Sequence, residues 1–533
     1  MSDFKCDVNE QNKATELPLL RVGGSVQQNP HMRAFWASTI SFFLAFLAWF
    51  ALAPLALDVA SSMGICENQQ FPPAHFKTRP AYLKFKSLST GTAYCQYGKN
   101  DADKPTDCKP VPNDILATPL CNSTVITGCV SEKAKLQYLP DVLDECVCTP
   151  GTECSRVLAN AGTISVTSTI VARIAMGTLL ERFGCVNMQV VLLVWGSFWI
   201  GMAATITAPW NYMLIRFLIG AVGATFVTNQ VWCSLMFASN VVGTANACAA
   251  GWGNLGGGVT QIFMVVVLFQ PFKAAGMESD KAWRVSMAVP AILLLLCAIA
   301  IKLLCWDTPG ARRFDVAVTG KDYWEVVKDP KVLLMAMQYS ACFGTELAMN
   351  NVLATHFRTY FQMNAGDAAS LAGAFGLMNL FARPLGGIVR LPRSHLGTAV
   401  FLFGFGCVDN SQPWYVALII LVIFSVFVQM AEGTTYGIVP FMNPKQLPIV
   451  SALVGAGGNI GAMIAGFAFY ARIPDPILPF KVHGCYVMFF ALLTLVCPNH
   501  LHGGMFWAPA AGAALKKTDP WFCSRLFFMC CCW

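Results

Sequence analysis

A short glycine-rich sequence occurs twice in this chain, each time inside an apolar run long enough to cross a membrane. The first copy, GWGNLGGG, fills residues 251–258, and the second, GAGGNIGA, fills residues 455–462. Their asparagines, Asn254 and Asn459, are 205 residues apart. So many glycines weaken a helix unless a ligand or another backbone comes close to them. We therefore expect both copies to lie where helices pack closely or where a ligand binds.

Two further sequence pairs repeat at nearly the same spacing. ARIAMG, which contains Arg173, corresponds to ARPLGG, which contains Arg383, at an offset of 210 residues. GATF and GTTY, which begin at Gly223 and Gly433, have the same offset of 210 residues. Interrupted apolar segments at corresponding places in two halves mark the binding site of a transporter, between the halves and near the middle of the membrane. The repetition thus predicts a duplicated membrane transporter.

The composition agrees with a membrane protein, because 55% of the residues are hydrophobic and only 12% are charged, against about 25% charged in soluble proteins. Apolar runs of about 20 residues can cross a bilayer. We predict an all-α protein with twelve transmembrane helices, six in each half, at 33–58, 160–181, 187–208, 211–238, 241–270, 283–305, 331–361, 368–390, 395–408, 414–441, 447–471 and 482–499.

The polar start of the chain shows no evident cleavable signal peptide, so we expect the N-terminus to stay in the cytosol. Basic residues in the link between the halves then satisfy the positive-inside rule. The predicted organisation is a cytosolic tail 1–32, a first half 33–305, a cytosolic linker 306–330, a second half 331–499 and a cytosolic tail 500–533. Adjacent cysteines at Cys530, Cys531 and Cys532 make palmitoylation of this last tail a hypothesis beside an unmodified tail.

The ninth predicted span is short, with about 13 apolar residues against the usual 17 to 25. Two explanations stay open. The span is a tilted or partly re-entrant helix supported by its neighbours, or part of this region has been lost through an incorrect gene model.

A polar insert at 61–160 separates the first two spans, and the topology places it outside the cell. Its eight cysteines predict a disulfide framework with 105 possible connectivities, and Asn122 begins a glycosylation sequon. The insert is either a cap without a role in transport or a partner-binding or regulatory domain. The cysteines are Cys66, Cys95, Cys108, Cys121, Cys129, Cys146, Cys148 and Cys154.

Arg173 and Arg383 lie within predicted spans, with no acid next to them in the sequence. An intramembrane charge is costly and marks an ion or substrate path by default. A guanidinium presents a planar fork of donors that suits planar oxyanions. The alternative is that each arginine is structural, and binds backbone carbonyls or a distant acid such as Glu346 or Glu432.

The glycine-rich copies, together with FARPLGG and AEGTTYGIVPF, resemble the nitrate/nitrite porter family of the major facilitator superfamily, in its eukaryotic high-affinity form. The resemblance covers nearly all of the membrane part and leaves out the insert. One departure concerns IVRLPRSHLGT, which follows ARPLGG and lacks the acid that the family has in this loop. Gating in the second half therefore departs from the family pattern.

The resemblance implies that Arg173 and Arg383 clamp the anion from opposite sides. Around them, Phe226, Tyr339 and Phe343 would enclose the anion, although ordinary core packing is the alternative for these rings. Asn254 and Asn459 would line the path or, as we favour, bond helix to helix. The signature glycines, which would let the helices approach and rock, are Gly251, Gly253, Gly256, Gly257, Gly455, Gly457, Gly458 and Gly461.

The expected function is import of nitrate, with nitrite as a further substrate, by proton symport, because a cytosol-negative membrane opposes anion entry. Glu346 is the candidate proton carrier, ahead of His356 and Glu432. A nitrate/nitrite exchanger and a non-transporting nitrate sensor stay open. We expect the plasma membrane, a possible need for an accessory membrane subunit, and no nucleic-acid partner. No motif suggests an enzyme, a cofactor or a metal site.

Overall fold

The membrane part of the protein is a bundle of helices, as the computed structural model shows. The structure describes residues 6–19, 30–63, 65, 82–88, 91–97, 107–110, 152–309, 320–361, 363–388, 394–409, 412–443 and 446–496. Of the helices found there, nine segments are long and apolar enough to cross a membrane, and two apolar helices are shorter.

The first half and the linker contain eleven of the helices in the described part of the chain. They are α1 Pro30–Trp49, α2 Ala56–Ser62, α3 Thr152–Phe183, α4 Cys185–Met202, α5 Pro209–Gly220, α6 Thr225–Met236, α7 Val242–Ile262, α8 Gln270–Ala274, α9 Ser279–Ser286, α10 Ala288–Leu304 and, in the linker, α11 Gly320–Lys328.

The second half repeats this arrangement. Its described helices are α12 Pro330–Thr359, α13 Ala365–Leu377, α14 Ala382–Ile388, α15 Ser394–Phe405, α16 Trp414–Met442, α17 Leu447–Ile464 and α18 Leu478–Val496. Proline in the first turn begins α5, α12 and α17, where its missing N–H costs nothing. The Asp329 side chain also accepts a hydrogen bond of 2.9 Å from the backbone N–H of Lys331 at the start of α12.

The short ninth span is a helix of 12 residues, α15. At about 1.5 Å per residue it is roughly 18 Å long, well short of a hydrocarbon core of about 30 Å. It packs between α16 and α18, so its neighbours supply the support that a short helix needs.

Each glycine-rich helix continues into a π-helical turn, which the sequence did not predict. Phe263–Phe269 follows α7 and Ala465–Tyr470 follows α17. A π-turn widens a helix locally and occurs often at functional sites. Its appearance at corresponding places in both halves extends the duplication from the sequence to the backbone.

The two halves meet through these same helices. The helix α7 packs on α13 and α14 of the second half, and α17 packs on α3 of the first half. At the first crossing, a Cβ built on Gly258 would lie 2.6 Å from the carbonyl carbon of Gly376. Only two glycines allow the backbones to come this close.

The insert adds strands to the otherwise helical protein. The strands β1 Tyr82–Leu88, β2 Gly91–Tyr97 and β3 Asp107–Pro110 form an antiparallel sheet in the order β1-β2-β3. Its register sets Cys95 opposite Cys108, while Cys154, at the start of α3, is a buried free cysteine. The disulfide framework remains a prediction, and Asn122 and the tail 500–533 lie outside the described residues.

Candidate functional site

Arg173 lies on α3, fully buried, with its donors directed at two backbone carbonyls. Its Nε and Nη2 donate to the oxygen of Gly223 at 3.2 and 3.1 Å, and its Nη1 donates to the oxygen of Gly455 at 2.6 Å. Gly223 sits in a 3₁₀ turn at 221–224 and Gly455 in the second glycine-rich copy. The arginine thus joins the first half to the signature helix of the second.

Arg383 lies on α14, also fully buried, and faces two acids. Its Nη1 donates to Oε2 of Glu432 and lies 3.6 Å from Oε2 of Glu346. Its Nη2 donates to the hydroxyl of Tyr339 at 2.8 Å. The sequence shows no acid beside this arginine, yet helix packing supplies two, from α12 and α16. In this conformation the alternative of an acid-paired arginine describes Arg383.

Both guanidinium groups lie over the same two aromatic rings. The Cζ atom of Arg173 is 4.8 Å from the centroid of Phe226 and 5.0 Å from that of Phe343. The Cζ atom of Arg383 is 5.6 and 5.8 Å from the same centroids. Cation–π attraction offsets part of the cost of burying a guanidinium. The rings therefore give the two arginines a common centre between the halves.

The aromatic group around this centre is continuous and buried. Phe226 stacks on Tyr339 and Phe343, with centroids 6.1 and 5.7 Å apart. Tyr436, which sequence reasoning assigned no role, packs edge-on against Phe226 at 4.5 Å. Its hydroxyl donates to the carbonyl of Ser451 at 2.9 Å. Tyr436 ends GTTY as Phe226 ends GATF, and this equivalence in the sequence repeat could have identified it.

Glu346 is held by two asparagine side chains. Asn254 donates to its Oε2 at 2.8 Å, and Asn379, just before α14, donates to its Oε1 at 2.6 Å. All three residues are buried. Asn254 therefore bonds helix to helix across the two halves, as we favoured, and the role of Asn379 was missed because no motif marks it.

Asn459, on the glycine-rich helix of the second half, makes a corresponding contact with the first half. Its side chain donates to the carbonyl of Val166 on α3 at 3.0 Å. The asparagine of each glycine-rich copy thus bonds to the opposite half, Asn254 through a carboxylate and Asn459 through the backbone. Because both asparagines are buried, each bond satisfies a donor that would otherwise be costly.

The signature glycines lie where a side chain would meet a neighbour. In the first copy, a Cβ on Gly251 would be 3.0 Å from the Cβ of Arg383, and one on Gly257 would be 3.1 Å from Nδ2 of Asn350. On Gly253 and Gly256 a Cβ would meet the ring of Phe42 and the carbonyl oxygen of Phe43 on α1. These glycines therefore let α7 approach both α1 and the site around Arg383.

The glycines of the second copy let α17 approach α12 closely. A Cβ on Gly458 would lie 2.6 Å from Cδ1 of Phe343, and one on Gly457 would lie 2.5 Å from the carbonyl oxygen of Ala336. Gly461 faces the carbonyl of Ser340, and a Cβ on Gly455 would be 3.2 Å from Nη1 of Arg173. The two copies thus flank the arginines.

Polar contacts join the halves at the end of the bundle that carries the insert. Arg358 on α12 forms an ion pair of 2.6 Å with Asp58 on α2. Arg216 on α5 donates to Oδ1 of Asn351 at 2.6 Å and to the carbonyl of Trp49 at 3.2 Å. At this end of the bundle, these contacts connect α2 and α5 of the first half to α12 of the second half.

At the opposite end, the linker helix α11 contacts α3. The hydroxyl of Tyr323 donates to the carbonyl of Ile174 on α3. Burial, followed by the nearby charge of Glu181, raises the pKa of Tyr323 to about 12. The hydroxyl therefore keeps its proton, and can donate this hydrogen bond, throughout the physiological pH range.

The structure brings most of the predicted site residues together around the two arginines. Asn459 instead lies against α3, where its hydrogen bond to the carbonyl of Val166 joins the two halves. Within the ranges described above, no three His, Cys, Asp or Glu side chains are arranged to hold a metal ion. The residues that share the centre are Arg173, Arg383, Phe226, Tyr339, Phe343, Glu346 and Asn254.

Comparison with known proteins places the chain in a family. Residues 155–466 match the Major Facilitator Superfamily. The chain is 35% identical over 333 residues to high affinity nitrate transporter 2.5 of Arabidopsis thaliana, a match that covers 59% of this chain and 66% of that protein. It is 32% identical to high-affinity nitrate transporter 2.3 of Oryza sativa subsp. japonica, covering 68% and 74% of the two chains.

Similarity to a more distant protein extends to the fold. The xylose transporter XylE from E. coli, in a partially occluded inward open conformation, superimposes with a TM-score of 0.55 at 12% identity and covers 91% of this chain and 100% of that one. Together with the helical bundle, these matches confirm the predicted all-α fold of the major facilitator superfamily and the prediction of a multi-pass transporter rather than an enzyme. The chain belongs to the nitrate/nitrite porter family of the major facilitator superfamily.

Proposed function

We propose that this protein imports nitrate, with nitrite as a further substrate, by proton symport and alternating access around Arg173 and Arg383. The observation that carries the proposal is the placement of these two buried guanidinium groups, one from each half, over the same pair of rings. Relatives named nitrate transporters support the choice of substrate.

The chemistry of the site suits a small planar anion. A guanidinium offers parallel N–H donors to two oxygens of such an anion, and the rings of Phe226 and Phe343 lie against both guanidinium groups. Arg173 would exchange its bonds to the Gly223 and Gly455 carbonyls for bonds to the anion. Because the Gly455 carbonyl belongs to the other half, this exchange would loosen the contact between the halves.

Alternating access requires the two ends of the bundle to open in turn. In the proposed orientation, with both termini in the cytosol and the protein in the plasma membrane, the insert-bearing end faces outward. The Asp58–Arg358 pair and the Arg216–Asn351 bond would then form the outer gate, and the contact between Tyr323 and Ile174 would belong to the inner one.

Proton coupling supplies the driving force. A cytosol-negative potential opposes anion entry by about 2.3 kcal/mol per charge per 100 mV. With two protons for each anion, the transported group carries net positive charge and the potential then favours entry. Glu346 is the candidate carrier for one proton, since its carboxylate is buried at the site and within 3.6 Å of Arg383.

The test is electrical recording from oocytes that express the full chain at their surface. Nitrate should evoke an inward current that grows as the external solution is made more acidic. If nitrate evokes no current, labelled-nitrate counterflow separates the other candidates. Exchange of label without current would indicate a nitrate/nitrite exchanger, binding without exchange would indicate a sensor, and activity restored by a second membrane protein would indicate an accessory subunit.

Replacing Glu346 with glutamine tests the assignment of the proton carrier. Glutamine keeps the shape of the side chain but has no acidic proton, so we expect nitrate uptake to lose part of its dependence on external acidity, the part due to one proton, while counterflow persists. Uptake and current measured in the same oocytes give the ratio of charge to nitrate. A variant that retained the full proton-coupled current would exclude Glu346 as the carrier.

A further inference from the structure

Glu432 is bound to Arg383, one of the two arginines of the proposed site. Its Oε2 accepts a hydrogen bond from Nη1 of Arg383, and both side chains are fully buried. A carboxylate resembles nitrate in charge and in the planar arrangement of its oxygens, so both compete for the same donors. An anion that binds Arg383 through this edge must first displace Glu432.

The two acids beside Arg383 are held in different ways. Both oxygens of Glu346 accept hydrogen bonds from asparagine amides, Asn254 and Asn379. These two hydrogen bonds fix the position of the carboxylate. The second oxygen of Glu432, in contrast, is buried without a hydrogen-bond partner among the residues that the structure describes. The hydrogen bond from Arg383 thus holds Glu432 in place, and the anion would remove it.

The charged, titratable and polar groups around Glu432 come from several helices. Arg383 on α14 faces it, as do Glu346, Tyr339 and Cys342 on α12. Tyr436 lies on its own helix, α16, and α7 contributes Asn254, which is uncharged. Arg173 on α3 lies over the same rings as Arg383. Two arginines and two glutamates make this buried site formally neutral, a condition that a low-dielectric interior favours.

We infer that Glu432 is an internal anion that holds Arg383 until the substrate replaces it, and that it takes up a coupling proton when it is released. This inference rests on the proposed function and adds a positioning residue to it. It also supplies a carrier for the second proton, beside Glu346.

The charge balance of the exchange determines the coupling. Nitrate brings one negative charge and takes the place of the Glu432 carboxylate on Arg383. The displaced carboxylate would then be buried without its cation, which is costly. By binding one proton to an oxygen it becomes a neutral acid, so the site returns to its original net charge. When nitrate leaves, the proton is released and the carboxylate returns to Arg383.

Binding of nitrate to the purified full-length protein in detergent tests the exchange. Affinity is followed by nitrate-dependent thermal stabilisation between acidic and near-neutral pH. Each proton that must bind with the anion makes the affinity change by about tenfold per pH unit. The variant Glu432→Gln has no competing charge and no proton to bind. It should therefore bind nitrate more tightly near neutral pH. Its affinity should also change about tenfold less per pH unit than the affinity of the wild type.

The variant Glu432→Asp is the second measurement. It keeps the acid but withdraws it from Arg383 by one methylene, so nitrate affinity near neutral pH should rise while the pH dependence stays. The inference is overturned if Glu432→Gln keeps the pH dependence of the wild type, or if Glu432→Asp binds nitrate with wild-type affinity. The proposed function fails separately, if the wild type does not bind nitrate or if Arg383→Lys leaves nitrate binding unchanged.

Discussion

Replacing Arg383 with lysine is expected to abolish nitrate uptake while the protein still folds. Lysine keeps a positive charge near Glu432 and Glu346, so neither carboxylate is left without a cation. It loses the planar fork, however, and with it the two parallel N–H donors that the proposed site offers to the anion. Two lost charge-assisted hydrogen bonds, at about 1.5–3 kcal/mol each, correspond to a loss of uptake of at least about a hundredfold.

The measurement is initial uptake of labelled nitrate into proteoliposomes under an inward proton gradient. Arg173→Lys should show a loss of similar size, because the two arginines occupy corresponding positions. Arg284→Lys is the matched control: Arg284 lies on α9, where it pairs with Asp280 at 2.9 Å, away from the site. Near wild-type uptake by Arg383→Lys would contradict the role of its guanidinium as an anion ligand.

A second large loss of nitrate uptake is expected when a single methyl group is added where the two halves meet. In Gly258→Ala, the new Cβ would lie 2.6 Å from the carbonyl carbon and 2.7 Å from the Cα of Gly376. Both atoms belong to a helix backbone, which cannot rotate away as a side chain can. Separating α7 from α13 costs about 1–3 kcal/mol by the usual measure of overpacking. We expect lower thermal stability and a loss of most nitrate uptake.

Gly404→Ala is the control for this substitution. It also adds a methyl group to a glycine in a helix, α15, but its Cβ would meet nothing within 4 Å. Alanine is favoured over glycine within helices by about 0.5–1 kcal/mol, so stability should be unchanged or slightly higher and uptake should be unchanged. If Gly258→Ala behaved like Gly404→Ala, the close approach of α7 and α13 would not be needed for transport.

The sequence alone predicted the helical membrane architecture and singled out the two central arginines. Apolar runs of membrane length predicted the spans, because the length of a helix that crosses a bilayer is determined by the bilayer thickness. The repeat spacing of 210 residues paired Arg173 with Arg383. Their cost inside a membrane identified both as functional candidates without any knowledge of their neighbours.

Only the tertiary structure decided what each of these residues contacts. The acceptor for Nη1 of Arg173 is Gly455, 282 positions away in the sequence, and Arg383 reaches Glu432 across 49 positions. Asn254 and Asn459 share a motif, yet one bonds to a carboxylate and the other to a backbone carbonyl. Composition and spacing describe one segment at a time, whereas these partners depend on which helix faces meet when the two halves pack together.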